Sequence, residues 1–119
     1  DKLGVKPESR VVVLGVRDGA FLEQLRQRLK TPLAPRLAAD ADLIFFAVES
    51  REELKQLARV KKSLQPAGAI WVVRPKGTPA IKEADVIAAG KAAGLVDVKV
   101  AAFSTTHTAE KLVIPVKLR

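Results

Sequence analysis

The sequence lacks cysteine altogether, and this absence excludes disulfide bonds, thiolate nucleophiles and cysteine-ligated metals. One histidine in 119 residues is too few for a histidine-rich metal site. Long hydrophobic runs are also missing, because the longest apolar stretches, residues 43–48 and 69–73, fall far below the roughly 18 residues that a membrane-spanning helix needs. We therefore expect a cytoplasmic protein with no metal centre and no membrane segment.

The chain opens at Asp1 with neither methionine nor a signal-like segment, so we expect a short N-terminal piece to precede it. Its length and composition, with 48% hydrophobic and 29% charged residues, are typical of a single globular domain over residues 1–119. Aromatic residues make up only 4% of the chain, so the core is expected to be mainly aliphatic.

The formal net charge is +8, and most of the excess lies after residue 60. Such a balance favours partners that carry negative charge, such as a small anionic ligand, nucleic acid or an acidic protein surface. The basic residues are dispersed, however, and the aromatic residues sit inside apolar runs instead of between basic ones. A well-solvated surface explains the same charge, so nucleic-acid binding is one alternative among several.

Strand-like and helix-like hydrophobic periods alternate along the chain, which favours helices packed on a largely parallel sheet. Three apolar runs predict buried strands: residues 10–16, 41–48 and 69–73. The first helix is expected to begin after Asp18, a good N-cap residue, and to end before Pro32. Residues 33–40 predict a short edge strand or an extended connection.

The second helix is predicted to start at a capping box, in which Ser50 and Glu53 satisfy each other's backbone donors. Residues 65–68 should then turn the chain into the third strand. A third helix over residues 82–93 is expected to end at Gly94 in the left-handed conformation.

The chain is expected to close with an antiparallel hairpin of two strands, residues 96–103 and 111–117. The final strand would then lie exposed at the sheet edge, where unpaired backbone groups favour a homodimer and Lys111 and Lys117 oppose it. These elements together predict the α/β class: a three-layer Rossmann-like sheet, mostly parallel, with a C-terminal antiparallel hairpin.

Three phrases of the sequence carry a resemblance to a known family: residues 2–7 (Lys-Leu-Gly-Val-Lys-Pro), 71–76 (Trp-Val-Val-Arg-Pro-Lys) and 93–99 (Ala-Gly-Leu-Val-Asp-Val-Lys). In these phrases the chain resembles a family of small bacterial domains of unknown function. The order of its elements is similar to that of a shortened Rossmann-like methyltransferase dependent on S-adenosylmethionine. The resemblance implies a fold and not a reaction.

A methyltransferase resemblance implies a glycine-rich turn after the first strand and an acidic residue at the end of the second. The turn keeps Gly15 and Gly19, but Val-Arg-Asp separates them where the family has closely spaced glycines. The alternative role of these glycines is a simple strand-to-helix turn. Asp40 and Asp42 both precede the next strand, so neither is a counterpart of the acidic residue. Asparagine, tyrosine and cysteine are absent, which removes the Asn-Pro-Pro-Tyr and cytosine-C5 types of methyltransferase site.

Ligands of open α/β sheets bind beyond the carboxyl ends of the strands, so the residues that follow the predicted strands are the candidates for a site. The candidate rim for an anionic ligand or a cofactor consists of Gly15, Arg17, Gly19, Glu49, Arg74 and Lys76. The alternative interpretation is that the basic loop and Glu49 are simply solvated. His107 falls in the predicted hairpin turn near Ser104, where a polar surface turn and a proton-shuttling group are the two interpretations.

Three functions remain open from the sequence. The leading one is a non-catalytic Rossmann-like domain that binds a small anionic ligand or a protein partner, because no catalytic constellation is visible. The second is a methyltransferase that binds S-adenosylmethionine through a divergent cofactor loop. The third is an electrostatic nucleic-acid binder, whose affinity would fall steeply with salt.

Overall fold

The computed structural model describes residues 3–30, 32–34, 37 and 40–119. Within these residues, five strands form one sheet in the order β1-β2-β3-β5-β4. The elements in chain order are β1 (Val11–Leu14), α1 (Gly19–Arg28), β2 (Ala41–Ala47), α2 (Leu57–Lys61), β3 (Leu64–Pro75), α3 (Glu83–Ala92), β4 (Val96–Ala102) and β5 (His107–Val113). The first three strands are parallel, and β5 is antiparallel to both of its neighbours.

Helices cover both faces of the sheet, because the buried strands carry apolar side chains on both sides. On one face, Leu25 of α1 packs with Phe45 and Trp71. On the other face, α2 and α3 pack through Leu57 and Val86 against the opposite sides of the same strands. The predicted three-layer α/β fold is confirmed, with the parallel pairing confined to β1, β2 and β3.

The connection from α1 to β2 passes the free side of β1. Ala34 forms an isolated parallel bridge with Val12, donating to the Val11 carbonyl at 3.0 Å and accepting from the Val13 N–H at 2.9 Å. The Leu33 side chain packs on the α1 face, and those of Ala34 and Leu37 pack on the opposite face. The predicted edge strand is therefore a single bridge at Ala34; residues 35, 36, 38 and 39 of that prediction lie outside the described residues.

Two predicted helix ends, the start of α1 and the end of α3, are confirmed. The Asp18 carboxylate accepts a hydrogen bond from the Phe21 N–H at 3.1 Å and caps α1. Gly94 follows α3 with a φ of +80°, the left-handed conformation that a glycine adopts without strain.

The predicted capping box is wrong. Ser50 makes no side-chain cap bond, and the Glu53 carboxylate accepts instead from the N–H of Glu49 at 2.8 Å. The segment begins as a 3-10 helix, Arg51–Gln56, and only the short α2 follows it. The reciprocal bonds of a capping box need a regular α-helical first turn, which this tighter helix does not provide.

The strand boundaries at the C-terminal half also differ from prediction. The predicted turn at residues 65–68 lies inside β3, because the chain already pairs with β2 at Leu64. The final strand begins at His107 instead of residue 111 and lies between β3 and β4. The expectation of an exposed final strand is therefore wrong: β4, and not β5, is the edge.

Candidate functional site

A cleft of about 540 Å³ opens beyond the carboxyl ends of the strands, between β1 and β2. Ala34 lies on one side of β1 and β2, which follows it in the chain, lies on the other, so the direction of the strand order reverses at β1. The described residues that line it are Gly15, Val16, Arg17, Asp18, Ala47, Val48, Glu49, Glu53, Val73, Phe103, Ser104, Thr106 and His107. Its volume lies in the range of small-molecule sites.

The turn after β1 forms one wall of the cleft. Gly15 has a φ of +77°, where a larger residue would be strained, and a Cβ there would lie 3.5 Å from the Ala47 carbonyl. The left-handed φ favours glycine at this position, since the contact with Ala47 is at an ordinary van der Waals distance. The N-terminus of α1 beside it already carries the Asp18 carboxylate, which leaves less attraction there for an anionic ligand.

The segment after β2 forms the acidic wall. Glu49 is exposed, and its own backbone N–H is held by the carboxylate of Glu53 at 2.8 Å. Both glutamates line the cleft. The bond between them orders the start of the 3-10 helix and keeps two carboxylates on one wall.

The turn between β4 and β5 closes the cleft on its far side. Thr106 Oγ1 lies 2.8 Å from Nδ1 of His107, and Ser104 Oγ accepts from the His107 N–H at 3.1 Å. Phe103 anchors this turn to α1, because its ring centroid lies 4.4 Å from that of Phe21. The Thr106 hydroxyl thus contacts one ring nitrogen of His107, and the proton-shuttling role of this histidine stays a prediction.

The charges on this cleft oppose those of the whole chain. Among the described lining residues, Arg17 is the one cation and Asp18, Glu49 and Glu53 are carboxylates, which gives 1 − 3 = −2 with histidine neutral. The chain as a whole carries +8. An electropositive ligand is therefore better suited to this cleft than an anionic one.

The structure brings three of the six predicted rim residues together, namely Gly15, Arg17 and Glu49. Gly19 begins α1 and is not among the lining residues, and the exposed Lys76 also lies outside them. Arg74 points to the other face of the sheet, where its guanidinium pairs with the buried carboxylate of Glu110. Ligand binding by any of the six stays a prediction.

The Arg74–Glu110 pair is almost completely enclosed, with the Glu110 side chain 1% exposed and that of Arg74 13% exposed. Burial raises the pKa of Glu110, and this effect outweighs the opposing hydrogen bond and charge of Arg74. The role of Arg74 seen in the structure is thus to partner a buried acid.

Ser104, Thr106 and His107 also line the cleft, although the predicted rim does not include them. Sheet topology explains their position. β4 runs parallel to β1, β2 and β3, so the turn that follows it reaches the same sheet edge as Gly15 and Glu49. Sequence periodicity alone does not give the direction of a strand.

Solved structures with the same fold are methyltransferases. A SAM-dependent methyltransferase from Aquifex aeolicus matches with a TM-score of 0.73 at 16% identity, covering 95% of this chain and 86% of that one. A putative methyltransferase from Thermoplasma acidophilum gives 0.72 at 10% identity, covering 94% and 70%. Ribosomal protein L11 methylase from Lactobacillus delbrueckii subsp. bulgaricus gives 0.70 at 11% identity, covering 95% and 73%. The chain thus has a shortened, methyltransferase-like Rossmann fold, as the resemblance in its sequence implies.

No protein-family model and no curated protein matches the chain. Within the described residues, every helix is too short or too polar to cross a membrane. The same residues contain no cluster of three or more histidine, aspartate or glutamate side chains arranged to hold a metal ion.

Proposed function

We propose that the cleft beyond β1 and β2 binds S-adenosylmethionine and that the chain is a methyltransferase-like domain with a reduced cofactor pocket. The observation that carries the proposal is the acidic character of this cleft at the point where the strand connections diverge. When bound, S-adenosylmethionine supplies a methyl group on a positively charged sulfur. The carboxylates of Glu49 and Glu53 would stabilise positive charge on this ligand.

The described residues fit one half of that ligand better than the other. The open backbone at Gly15 and the charge of Arg17 would hold its amino-acid end beside the acidic wall. Beyond β1, however, the described chain provides only the bridge at Ala34, and Asp40 lies at the opposite edge of the sheet. A carboxylate for the ribose hydroxyls therefore has no counterpart there, and we expect affinity about tenfold or more below that of a complete pocket.

The charge of the cleft makes an anionic ligand less favoured there than the sequence suggests. The predicted basic rim is divided, because Arg74 is paired on the other face and Lys76 stands outside the lining. A protein partner and nucleic acid stay predictions, and a steep fall of affinity with rising salt would identify the latter.

The first experiment titrates the chain with S-adenosylmethionine and S-adenosylhomocysteine and measures the melting temperature and the heat of binding. A ligand that prefers the native state raises the melting temperature, and ATP and NAD serve as comparators. We expect the positively charged compound to bind more tightly than the neutral thioether, because the cleft carries excess negative charge.

The variant Glu49→Gln tests the acidic wall. We expect it to weaken S-adenosylmethionine about fivefold, or roughly 1 kcal/mol, while S-adenosylhomocysteine changes little. The matched control is Glu52→Gln, which removes a carboxylate of the same 3-10 helix that faces Lys55 and lies outside the cleft. The proposal would be contradicted if neither compound binds. It would also be contradicted if Glu49→Gln and Glu52→Gln lose the same affinity for S-adenosylmethionine.

A further inference from the structure

A second cleft, of about 490 Å³, lies at the opposite edge of the sheet, where β2 and β3 begin and β5 ends. Its described lining residues are Gly4, Lys6, Glu8, Ser9, Asp42, Leu43, Gln65, Ala67, Gly68, Ala69, Lys111, Val113 and Arg119. The sheet separates it from the cleft at the carboxyl ends, and the two share no described residue. A ligand here would bind independently of the proposed cofactor.

Cations outnumber carboxylates in this second cleft. Lys6, Lys111 and Arg119 oppose Glu8 and Asp42, so the formal balance is 3 − 2 = +1, against −2 in the first cleft. The Asp42 carboxylate is already engaged at both oxygens. It accepts from the Arg10 N–H at 2.8 Å and from the Gln65 side chain at 3.1 Å. Both donors are neutral, so Asp42 keeps its negative charge within the formal balance of +1.

Lys111 is the central cation of this cleft. It is half-buried, and its ammonium lies 5.9 Å from the centroid of the Trp71 ring. In the antiparallel pairing of β4 and β5, Lys99 stands directly opposite Lys111. An anion bound beside Lys111 would be attracted by this partly desolvated positive charge.

We propose that the second cleft binds a small, multiply charged phosphate ligand, with Lys111 and Lys6 as its principal contacts. Lysine is a compact point charge with three donors, which suits the rotationally symmetric oxygens of a phosphate group. Pyrophosphate has this chemistry in its simplest form, and a nucleoside triphosphate presents it on a larger molecule. The site is distinct from the proposed cofactor cleft and does not depend on it.

Trp71 gives this site its own optical signal. It is the single tryptophan of the chain, and an anion that binds the ammonium over its ring changes the electrostatic field that the ring experiences. The experiment titrates pyrophosphate, inorganic phosphate and ATP into the chain and follows Trp71 emission. Chloride at matched ionic strength is the control for screening. We expect saturable emission changes with pyrophosphate and none with chloride.

Two substitutions decide whether the signal comes from this cleft. Lys111→Met keeps the length of the side chain without its charge and should weaken pyrophosphate by about tenfold or more. Lys76→Met, which removes an exposed lysine outside both clefts, should leave the affinity within about twofold. If Lys111→Met lowers the melting temperature, Lys6→Met tests the charge of the same cleft at an exposed residue.

A pyrophosphate affinity that is equal in the native chain, Lys111→Met and Lys6→Met would overturn the proposal, as would an equal loss in Lys76→Met. Binding of ATP with no response to pyrophosphate would also overturn it, because recognition would then lie in the nucleoside. Since S-adenosylmethionine binding is measured separately with Glu49→Gln, failure at one cleft leaves the result at the other intact.

Discussion

Glu110 is the titratable side chain that the fold isolates most completely. One of its oxygens, Oε2, has no hydrogen-bond partner among the described residues, while Oε1 accepts from Arg74. Burial raises its pKa above the ordinary value of 4.5 despite that partner. The folded chain therefore retains the Glu110 proton to a higher pH than the unfolded chain does.

This retention predicts a specific pH dependence of stability. The contribution of Glu110 is fully present below its ordinary pKa of 4.5 and is lost as the pH rises through the raised value of the folded state. We expect the free energy of unfolding, measured in urea, to fall over this interval in the native chain and less steeply in Glu110→Gln. The same slope in both chains would show that other groups cause it.

Val73 and Arg74 are neighbours in β3, but only Val73 lines the cleft. Arg74 points to the other face of the sheet, pairs with Glu110 there and is not among the lining residues. The predictions for Gly15, Arg17 and Glu49 depend only on where strands end, and these residues do line the cleft. The sequence thus indicates where strands end. To predict the face of the sheet to which each side chain points, the pairing register of the strand must also be known.

At the scale of elements, the closest backbone approach of β3 to β2 lies at Gly68. A Cβ at this position would lie 2.7 Å from the Asp42 carbonyl oxygen and 3.0 Å from that of Ala41. Since both are backbone atoms, neither strand can yield without disturbing the pairing. The irregular register between Ala41 and Leu43 is in the same place.

Gly68→Ala should therefore destabilise the chain by about 1–3 kcal/mol in chemical denaturation. The matched control is Gly19→Ala, because nothing lies within 4 Å of a Cβ at Gly19 and its φ is not in the left-handed region. At the start of α1 we expect this control to be neutral or to stabilise by up to about 1 kcal/mol. Equal effects would mean that the loss of glycine flexibility, and not the contact with β2, governs stability.

The elements predicted best are those that depend on local chemistry. Asp18 caps α1 and Gly94 ends α3 because each needs only its neighbours in the chain. Residues 65–68 read locally as a turn, since Pro66 and Gly68 disfavour strands. They nonetheless lie within β3, where the register with β2 passes from Leu64 to Ala69 without pairing any of the four, so the local preference appears as an irregularity of the strand.

At the scale of the molecule, the large exposed apolar side chains of the described residues fall in two segments, β4 and the C-terminal 3-10 helix Val116–Leu118. They are Val96, Val98, Val100, Val116 and Leu118. β4 is also a sheet edge with unpaired backbone groups. A bulge between Asp97 and Lys99 interrupts this edge and limits how regularly a partner strand can pair with it.

Homodimerisation stays an untested alternative, and the structure moves the edge at which it would occur from the last strand to β4. We expect any concentration-dependent self-association, measured by light scattering, to decrease when Val98 and Val100 are both replaced by lysine. Gln24→Lys with Gln27→Lys on the exposed side of α1 adds the same charge away from β4. If this control reduces association equally, net charge and not the edge strand is responsible.

Strand order is the part of the architecture that the sequence conceals most. Hydrophobic period distinguishes strands from helices, and the predicted hairpin of β4 and β5 is present. Nothing in that period indicates that β5 inserts beside β3 and leaves β4 outside. β5 takes the inner position because its side chains are buried on both faces of the sheet. Ala109 packs in the core on one face and Leu112 in the core on the other.

The interior place of β5 also bears on how the chain folds as it is synthesised. β5 follows every other strand in sequence, yet it supplies the pairing partner of both β3 and β4. At about 5–20 residues per second, a ribosome releases β1, β2 and β3 seconds before β5 emerges, and β4 within about a second of it. Until β5 emerges, β3 and β4 each lack it as a pairing partner and the cores on both faces of the sheet are incomplete. Chaperones bind chains in this state. Folding of this domain is therefore completed late, by its last strand.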